Sequence, residues 1–167
     1  VGDFPIEAVK IMARIIERTE EVALDQIPPL KHSPTTKGGA ITKAATEVGS
    51  TVGAKFLVAF TQSGDSARRM SRLRSPIPML ALTPEIGTYN RLALSWGVES
   101  MITSVVSHTD EMVMQVDSIL IESKRVKIGD LVLIVAGSPP GIPGSINAMR
   151  VHKIGDADGG VAPAYRK

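Results

Sequence analysis

Helix and strand signals that alternate from residue 37 onward predict an α/β fold, a three-layer sandwich with helices on both faces of a five-stranded, mostly parallel sheet. Three observations carry this reading. The strand-length runs, such as Phe56–Thr61 and Leu131–Ala136, are continuously apolar rather than alternating, as befits strands buried on both faces. The segments between the first four runs are helical in period. The last two runs are joined only by a Gly/Pro/Ser loop within Val132–Asn147, VLIVAGSPPGIPGSIN, which is too short for a crossover. The fifth strand should therefore run antiparallel at an edge, with the order 3-2-1-4-5.

The elements follow in turn. Pro5–Glu20 reads as a helix: Pro5 suits a first turn, and Glu7, Lys10, Arg14, Glu17 and Arg18 form a polar stripe opposite Ile6, Val9, Met12, Ala13 and Ile16. Residues 26–36 hold Pro28, Pro29 and Pro34 and read as a linker. Ala40–Val52 is a helix with Ile41, Ala44, Ala45 and Val48 on one face. The first strand, Phe56–Thr61, is followed by a basic helix, Asp65–Leu73; the second, Met79–Thr83, by a helix over Glu85–Trp96 that stops at Gly97. A third strand lies within Val98–Ser104. Thr109–Arg125 is a long helix with Thr109 as its N-cap. Lys127–Asp130 turns into the fourth strand, Leu131–Ala136, and the fifth covers Met149–Ile154. The expected organisation is a helix-bearing segment at 1–25, a linker at 26–36, a domain at 37–155 and a flexible tail at 156–167.

Composition narrows the function classes. At 167 residues, 43% hydrophobic and 22% charged, the chain has the profile of one ordinary globular domain. The longest apolar run, Leu131–Ala136, is far short of the ~20 residues of a membrane helix. No secretion signal is visible, and the absence of cysteine excludes disulfides and thiolate metal sites. A cytoplasmic setting is the expectation. Net charge is only +2 with aromatics at 4%, which argues against nucleic acid as a partner. The chain opens on Val1-Gly2 without a Met, which reads as a piece of something longer.

Two loops are candidate sites. Thr61-Gln62-Ser63-Gly64-Asp65-Ser66 lies between a strand end and a helix start, where α/β sheets bind ligands and where helix N–H groups can donate to a phosphate. Its hydroxyls would add donors, and Gly64 lets a ligand approach the backbone. Asp65 would oppose an anion unless it points away or binds a sugar hydroxyl. The alternative is an ordinary turn capped by Ser and Asp. The second loop, Gly137–Asn147, has three glycines and three prolines, a length and stiffness that often mark function. With strands one and four adjacent, both loops would emerge side by side as a cleft for a phosphorylated ligand. Gly38-Gly39 with Lys43 lacks the spacing and the preceding strand of a dinucleotide fingerprint. His32, His108 and His152 are scattered and read as structural, and no nucleophile–base pair or metal cluster emerges. The Arg68, Arg69, Arg72 and Arg74 cluster reads as a solvated face or as a funnel for anions.

Three segments in register resemble the pyruvate kinase family, actinobacterial members above all. Asp3–Ile15 is similar to the helix after its last barrel strand, Phe60–Arg68 to its effector-phosphate loop, and Gly137–Val151 to the effector loop before its last strand. The resemblance implies a C-terminal allosteric domain with the last barrel helix attached. The whole enzyme would transfer a phosphoryl group from phosphoenolpyruvate to ADP, using Mg2+ (or Mn2+) and K+. Those reacting groups belong to the family's barrel, so this chain is expected to hold no catalytic residue, metal or cofactor of its own and to be inactive alone. The resemblance further implies effector binding at Thr61, Gln62, Ser63, Gly64, Asp65 and Ser66 and at Gly141, Pro143, Gly144 and Ser145, and homo-oligomer assembly, a tetramer in the whole enzyme. The family's Trp-Arg-Pro-Gly loop start is here Ser138-Pro139-Pro140-Gly141, without the Arg. That departure and Asp65 favour AMP or a sugar monophosphate over fructose bisphosphate. The barrel helix would bare its apolar face in water, at roughly 1.5–3 kcal/mol per large side chain, and is expected to pack on a second copy, swap or dock. A free-standing phosphometabolite sensor and a small flavodoxin-like enzyme are the competing readings.

Overall fold

The structure is a computed structural model that describes residues 2–23, 26, 28, 33–138, 140 and 144–159. The chain forms two compact units, Val1–Lys31 and His32–Lys167. The first contains helix α1, Pro5–Ala23, which continues past the expected end at Glu20 and has no buried residue. Arg18 and Glu21, paired at 2.8 Å, and the Thr19 hydroxyl, donating to the Ile15 carbonyl, carry its last turns.

In the second unit, α2 (Lys37–Thr51) precedes β1 (Leu57–Phe60), α3 (Asp65–Ser71), β2 (Met79–Thr83), α4 (Ile86–Leu92), β3 (Val98–Ile102), α5 (Thr109–Glu122), β4 (Leu131–Gly137) and β5 (Ile146–Lys153). The sheet has the expected order, β3-β2-β1-β4-β5. The first four strands are parallel, and β5 runs antiparallel to β4. Alternate residues of the continuous apolar strands feed two cores. Leu57, Ala59, Leu133 and Val135 pack with Ala45 of α2, Met70 of α3 and Leu92 of α4. Val58, Leu80, Leu82 and Ile134 pack with Val116 and Leu120 of α5. A Cβ at Gly49 would lie 2.8 Å from Leu57 Cδ2, so glycine in mid-helix sets how closely α2 approaches β1.

Several expected boundaries shift. The helix predicted over Glu85–Trp96 is α only to Leu92; turns then lead to Gly97, whose φ of +66° suits glycine. α3 stops at Ser71, and Arg74 takes the left-handed conformation soon after. Thr109 is not the N-cap of α5. His108, extended at φ −131°, occupies that position, and Thr109 is the first helical residue.

One buried polar cluster closes the domain. Asp117 of α5 and His152 of β5 are both buried. His152 Nε2 lies 2.7 Å from Asp117 Oδ1. Asp117 Oδ2 accepts from the backbone N–H groups of Gly155 at 3.0 Å and Ala157 at 3.4 Å. The stretch from 156, expected to be a flexible tail, thus starts as a 3-10 turn, Asp156–Gly159, with its first residues fastened to α5. His152 is structural, as its place in an edge strand suggested. Replacing Asp117 with Ala strands a buried imidazole and two amides. Asp117→Ala should cost about 3 kcal/mol of stability, by the measure of broken buried pairs, seen as a lower midpoint in urea unfolding. A midpoint equal to that of the unmodified chain would show that the cluster holds nothing.

Candidate functional site

Parallel order brings the carboxyl ends of β1, β2, β3 and β4 to one edge of the sheet. Between β1 and β4 the chain direction of the crossovers reverses, which opens a crevice. The crevice is an open cleft of about 640 Å³, a volume that includes space open to solvent. Thr61, Gln62, Ser63, Asp65 and Ser66 form one wall; Gly137, Pro140, Gly144 and Ser145 form the second. The two loops singled out in the sequence therefore meet. Gly141 and Pro143 lie outside the described residues. Gly64 does not line the cleft; its φ of +82° makes the turn behind it, where a Cβ would sit 2.9 Å from Arg68 Nη1.

The first wall is held from within. Thr61 Oγ1 accepts from the Gly64 amide at 2.9 Å, and Ser63 Oγ from the Asp65 amide at 3.4 Å. Thr88 of α4 donates its hydroxyl to the Gln62 carbonyl at 2.6 Å, and Arg68 donates to the Ser63 carbonyl at 3.1 Å. The Gly64 and Asp65 amides are thus spent on the loop itself, while the Thr61 and Ser63 hydroxyls act there as acceptors and keep their O–H donors. Ser66 differs. It is 3% exposed, makes no hydrogen bond to a described residue, and lines the cleft. Its hydroxyl is not a buried atom left without a partner, since among the described residues that atom is Gln115 Oε1; it sits at the cleft surface, open to water or to a ligand.

The charge of Asp65 is answered. Arg69 Nε donates to Asp65 Oδ2 at 2.6 Å, and Arg69 Nη1 donates to Thr36 Oγ1 at 3.2 Å. The arginine cluster is therefore neither a plain solvated face nor a free anion funnel: Arg68 and Arg69 brace the loop, and Arg74 lies over the Trp96 ring at 4.8 Å. No Lys or Arg lines the described part of the cleft.

The second wall depends on close backbone packing. A Cβ at Gly137 would fall 2.1 Å from Ser145 Oγ and 3.3 Å from the Ser145 carbonyl oxygen, at the bulge where the β4–β5 register shifts. Asn147 ties the loop mouth. Its Oδ1 accepts from the Ser138 amide at 2.6 Å, and its Nδ2 donates to the Ser138 carbonyl.

A third wall was missed in the sequence. Thr103, Ser104, Val105 and Val106, after β3, line the cleft with Pro84, over a floor of Phe60, Leu82 and Met112. The signal that pointed to Thr61–Ser66 also applies to them, since they too follow the carboxyl end of a parallel strand. Gln115 of α5 fixes this segment by donating to the Ser104 carbonyl at 3.2 Å and to its hydroxyl at 2.9 Å. Glu111 fixes its far end: the carboxylate accepts from the amides of Ser107 at 2.7 Å and His108 at 3.4 Å. Those bonds, the Ser107 one foremost, hold its pKa below the usual carboxylate range against some desolvation, with the nearby His108 adding a smaller pull. Among the described residues no group of three His, Asp or Glu is arranged to hold a metal ion, and no helix is long and apolar enough to cross a membrane.

Comparison with known proteins agrees with this architecture. Residues 39–152 match the family model "Pyruvate kinase, alpha/beta domain". The chain is similar to pyruvate kinase of Mycobacterium tuberculosis, at 49% identity over 95% of this chain and 33% of that protein. It is also similar to pyruvate kinase of Corynebacterium glutamicum, at 40% over 93% and 32%. These agree with the actinobacterial style of its loops. The chain spans about a third of the length of these curated relatives. Among solved structures, a pyruvate kinase from Cryptosporidium parvum has the same fold, with a TM-score of 0.71 at 23% identity over 92% of this chain and 31% of that one.

Glu111 gives this wall a pH dependence. A carboxyl whose folded pKa is depressed stabilises fully above its unfolded pKa, and that contribution disappears as pH falls through the folded value. Glu111→Gln should therefore lower Tm at neutral pH, and the gap between the two proteins should narrow on acidification. A gap that is constant from neutral pH down through the carboxylate range would refute the role given to the charge.

Proposed function

The chain belongs to the pyruvate kinase alpha/beta domain family, and from that premise we propose that it is the effector-binding and assembly domain of a longer, cytoplasmic glycolytic enzyme. The whole enzyme would transfer a phosphoryl group from phosphoenolpyruvate to ADP with Mg2+ (or Mn2+) and K+. In this reading cation binding and catalysis are assigned to the barrel that the family resemblance implies.

The observation that carries the effector reading is Ser66. A hydroxyl that makes no hydrogen bond to a described residue opens onto a cleft built from both loops that the family resemblance assigns to effector binding. The ligand class follows from charge. The described walls present hydroxyls, backbone groups and one carboxylate, and no cation. Arg69 already pairs with Asp65, and no Lys or Arg lines the described walls to receive a second phosphate beside that carboxylate. One phosphate on a hydroxylated or aromatic body, such as a sugar monophosphate or AMP, suits the cleft better than fructose bisphosphate. For assembly, the outer edge of β5 is the supporting surface. It is unpaired among the described residues and carries half-exposed Met149 and Val151. A homo-oligomer, tetrameric in the whole enzyme, is the proposed state.

A sugar monophosphate or AMP should raise Tm in a thermal-shift titration, and fructose bisphosphate should do less at equal concentration. Stabilisation by fructose bisphosphate alone would overturn the ligand assignment. Ser66→Ala removes one hydrogen bond to a charged ligand, worth about 1.5 kcal/mol, or about tenfold in Kd. An unchanged Kd in calorimetry would remove Ser66 from the site.

A further inference from the structure

Gly38-Gly39 is the one sequence motif that neither the fold nor the cleft accounts for, and its surroundings give it a role. Thr36 caps α2, its hydroxyl accepting from the Gly39 amide at 3.1 Å. The same hydroxyl accepts from Arg69 Nη1 at 3.2 Å, and Arg69 Nε holds Asp65 at 2.6 Å. Asp65 lines the cleft. An unbroken polar chain therefore runs from the cleft through Asp65, Arg69 and Thr36 to the capped Gly39 amide in the first turn of α2.

The glycines make this geometry available. A Cβ at Gly39 would come within 2.8 Å of Pro34 Cβ, 3.1 Å of Thr36 Oγ1 and 3.5 Å of Arg69 Nη1. A Cβ at Gly38 would touch Ile146 Cδ1 at 3.5 Å. Ile146 begins β5 directly after Ser145 of the second wall. The first turn of α2 thus rests on residues continuous with both loops of the cleft. It also stands where the second compact unit begins, a few residues after the boundary at Lys31 and His32.

We propose that Arg69 is a positioning residue that couples occupancy of the cleft to the start of α2. This rests on the effector reading above. Arg69 does not line the cleft and needs no contact with the ligand. A ligand hydroxyl that donates to Asp65 fixes the carboxylate, the carboxylate fixes the guanidinium, and the guanidinium fixes the Thr36 hydroxyl on Gly39. Occupancy is thereby converted into order at the point where the preceding segment enters the domain.

The test is amide hydrogen exchange on the 167-residue chain with and without saturating glucose 6-phosphate or AMP. In the unmodified chain the Gly39 and Ala40 amides should exchange at least about threefold more slowly with ligand bound. In Arg69→Gln the ligand should still bind, with Kd within about threefold in calorimetry, while the slowing at Gly39 and Ala40 disappears. Retention of the slowing in Arg69→Gln, or its absence in the unmodified chain with ligand bound, overturns the coupling. A ligand-free arm separates this from failure of the effector reading. Asp65→Asn should speed exchange at Gly39 and leave the β2 amides unchanged. If neither compound binds, the effector reading fails on its own, and the relay stands or falls on this arm: faster exchange at Gly39 supports it and no change overturns it.

Discussion

Strand β1 has hydrogen-bonded neighbours on both edges, and the rest of the domain follows from that constraint. Leu57, Val58 and Ala59 pair with β2 on one side and β4 on the other, all in parallel. Helix residues of α2 and α3 cover one face of this strand and those of α5 the other, so each of these side chains enters a core. Leu57 and Ala59 go to one and Val58 to the other, with no exposed surface left. Parallel pairing demands crossovers, and the chain leaves β1 toward β2 but leaves β4 toward β5, in opposite directions across the sheet. The loops at the two adjacent carboxyl ends then have nothing packed between them. The cleft is a topological consequence before it is a chemical one.

The edge strand β5 is what makes the second wall firm. It is secured at both ends by side chains: at the loop end Asn147 clamps Ser138, and toward the far end His152 bonds to Asp117. Edge strands are otherwise free to fray. Helix α5 serves both ends as well, giving Met112 to the cleft floor near its start and Asp117 to the buried cluster further along. A shift of α5 along its axis would therefore disturb the cleft and the closing turn together.

The legibility of the sequence followed the same physics. Strand positions and order were readable because burial on both faces demands uninterrupted apolar runs, and the missing crossover before β5 announced the reversal. Helix ends were less readable, since they depend on partners outside the local window. The start of α5 is set by Glu111 reaching back to Ser107 and His108, so Thr109 misled as a cap. Of the cleft, two walls were legible because Gly-, Pro- and Ser-rich loops advertise themselves. Thr103–Val106 carries no such punctuation, and only the path of the crossover brings it to the site. The bracing of Asp65 was within reach, because Asp65 and Arg69 stand four apart on a helix, the spacing at which opposite charges meet. Ser66 could be named as a hydroxyl at the right place, but its lack of a partner is visible only once its neighbours are fixed.

The ion pair at the cleft rim is weak by its surroundings. The Asp65 and Arg69 side chains are 41% and 34% exposed, and pairs screened to that degree contribute about 0.2–1 kcal/mol. Such a contact does little for the stability of the fold. In the proposed coupling that weakness is an advantage: a strongly buried pair would hold one arrangement whatever entered the cleft, whereas a rim pair of this strength can be biased by a single added hydrogen bond. The buried Asp117–His152 pair stands at the other extreme, closed to solvent and committed to one geometry. The domain thus places its rigid polar contact away from the cleft and its exchangeable one on the cleft wall. Under the proposed coupling, that division would let a small ligand alter the start of α2 without loosening the sheet beneath the cleft.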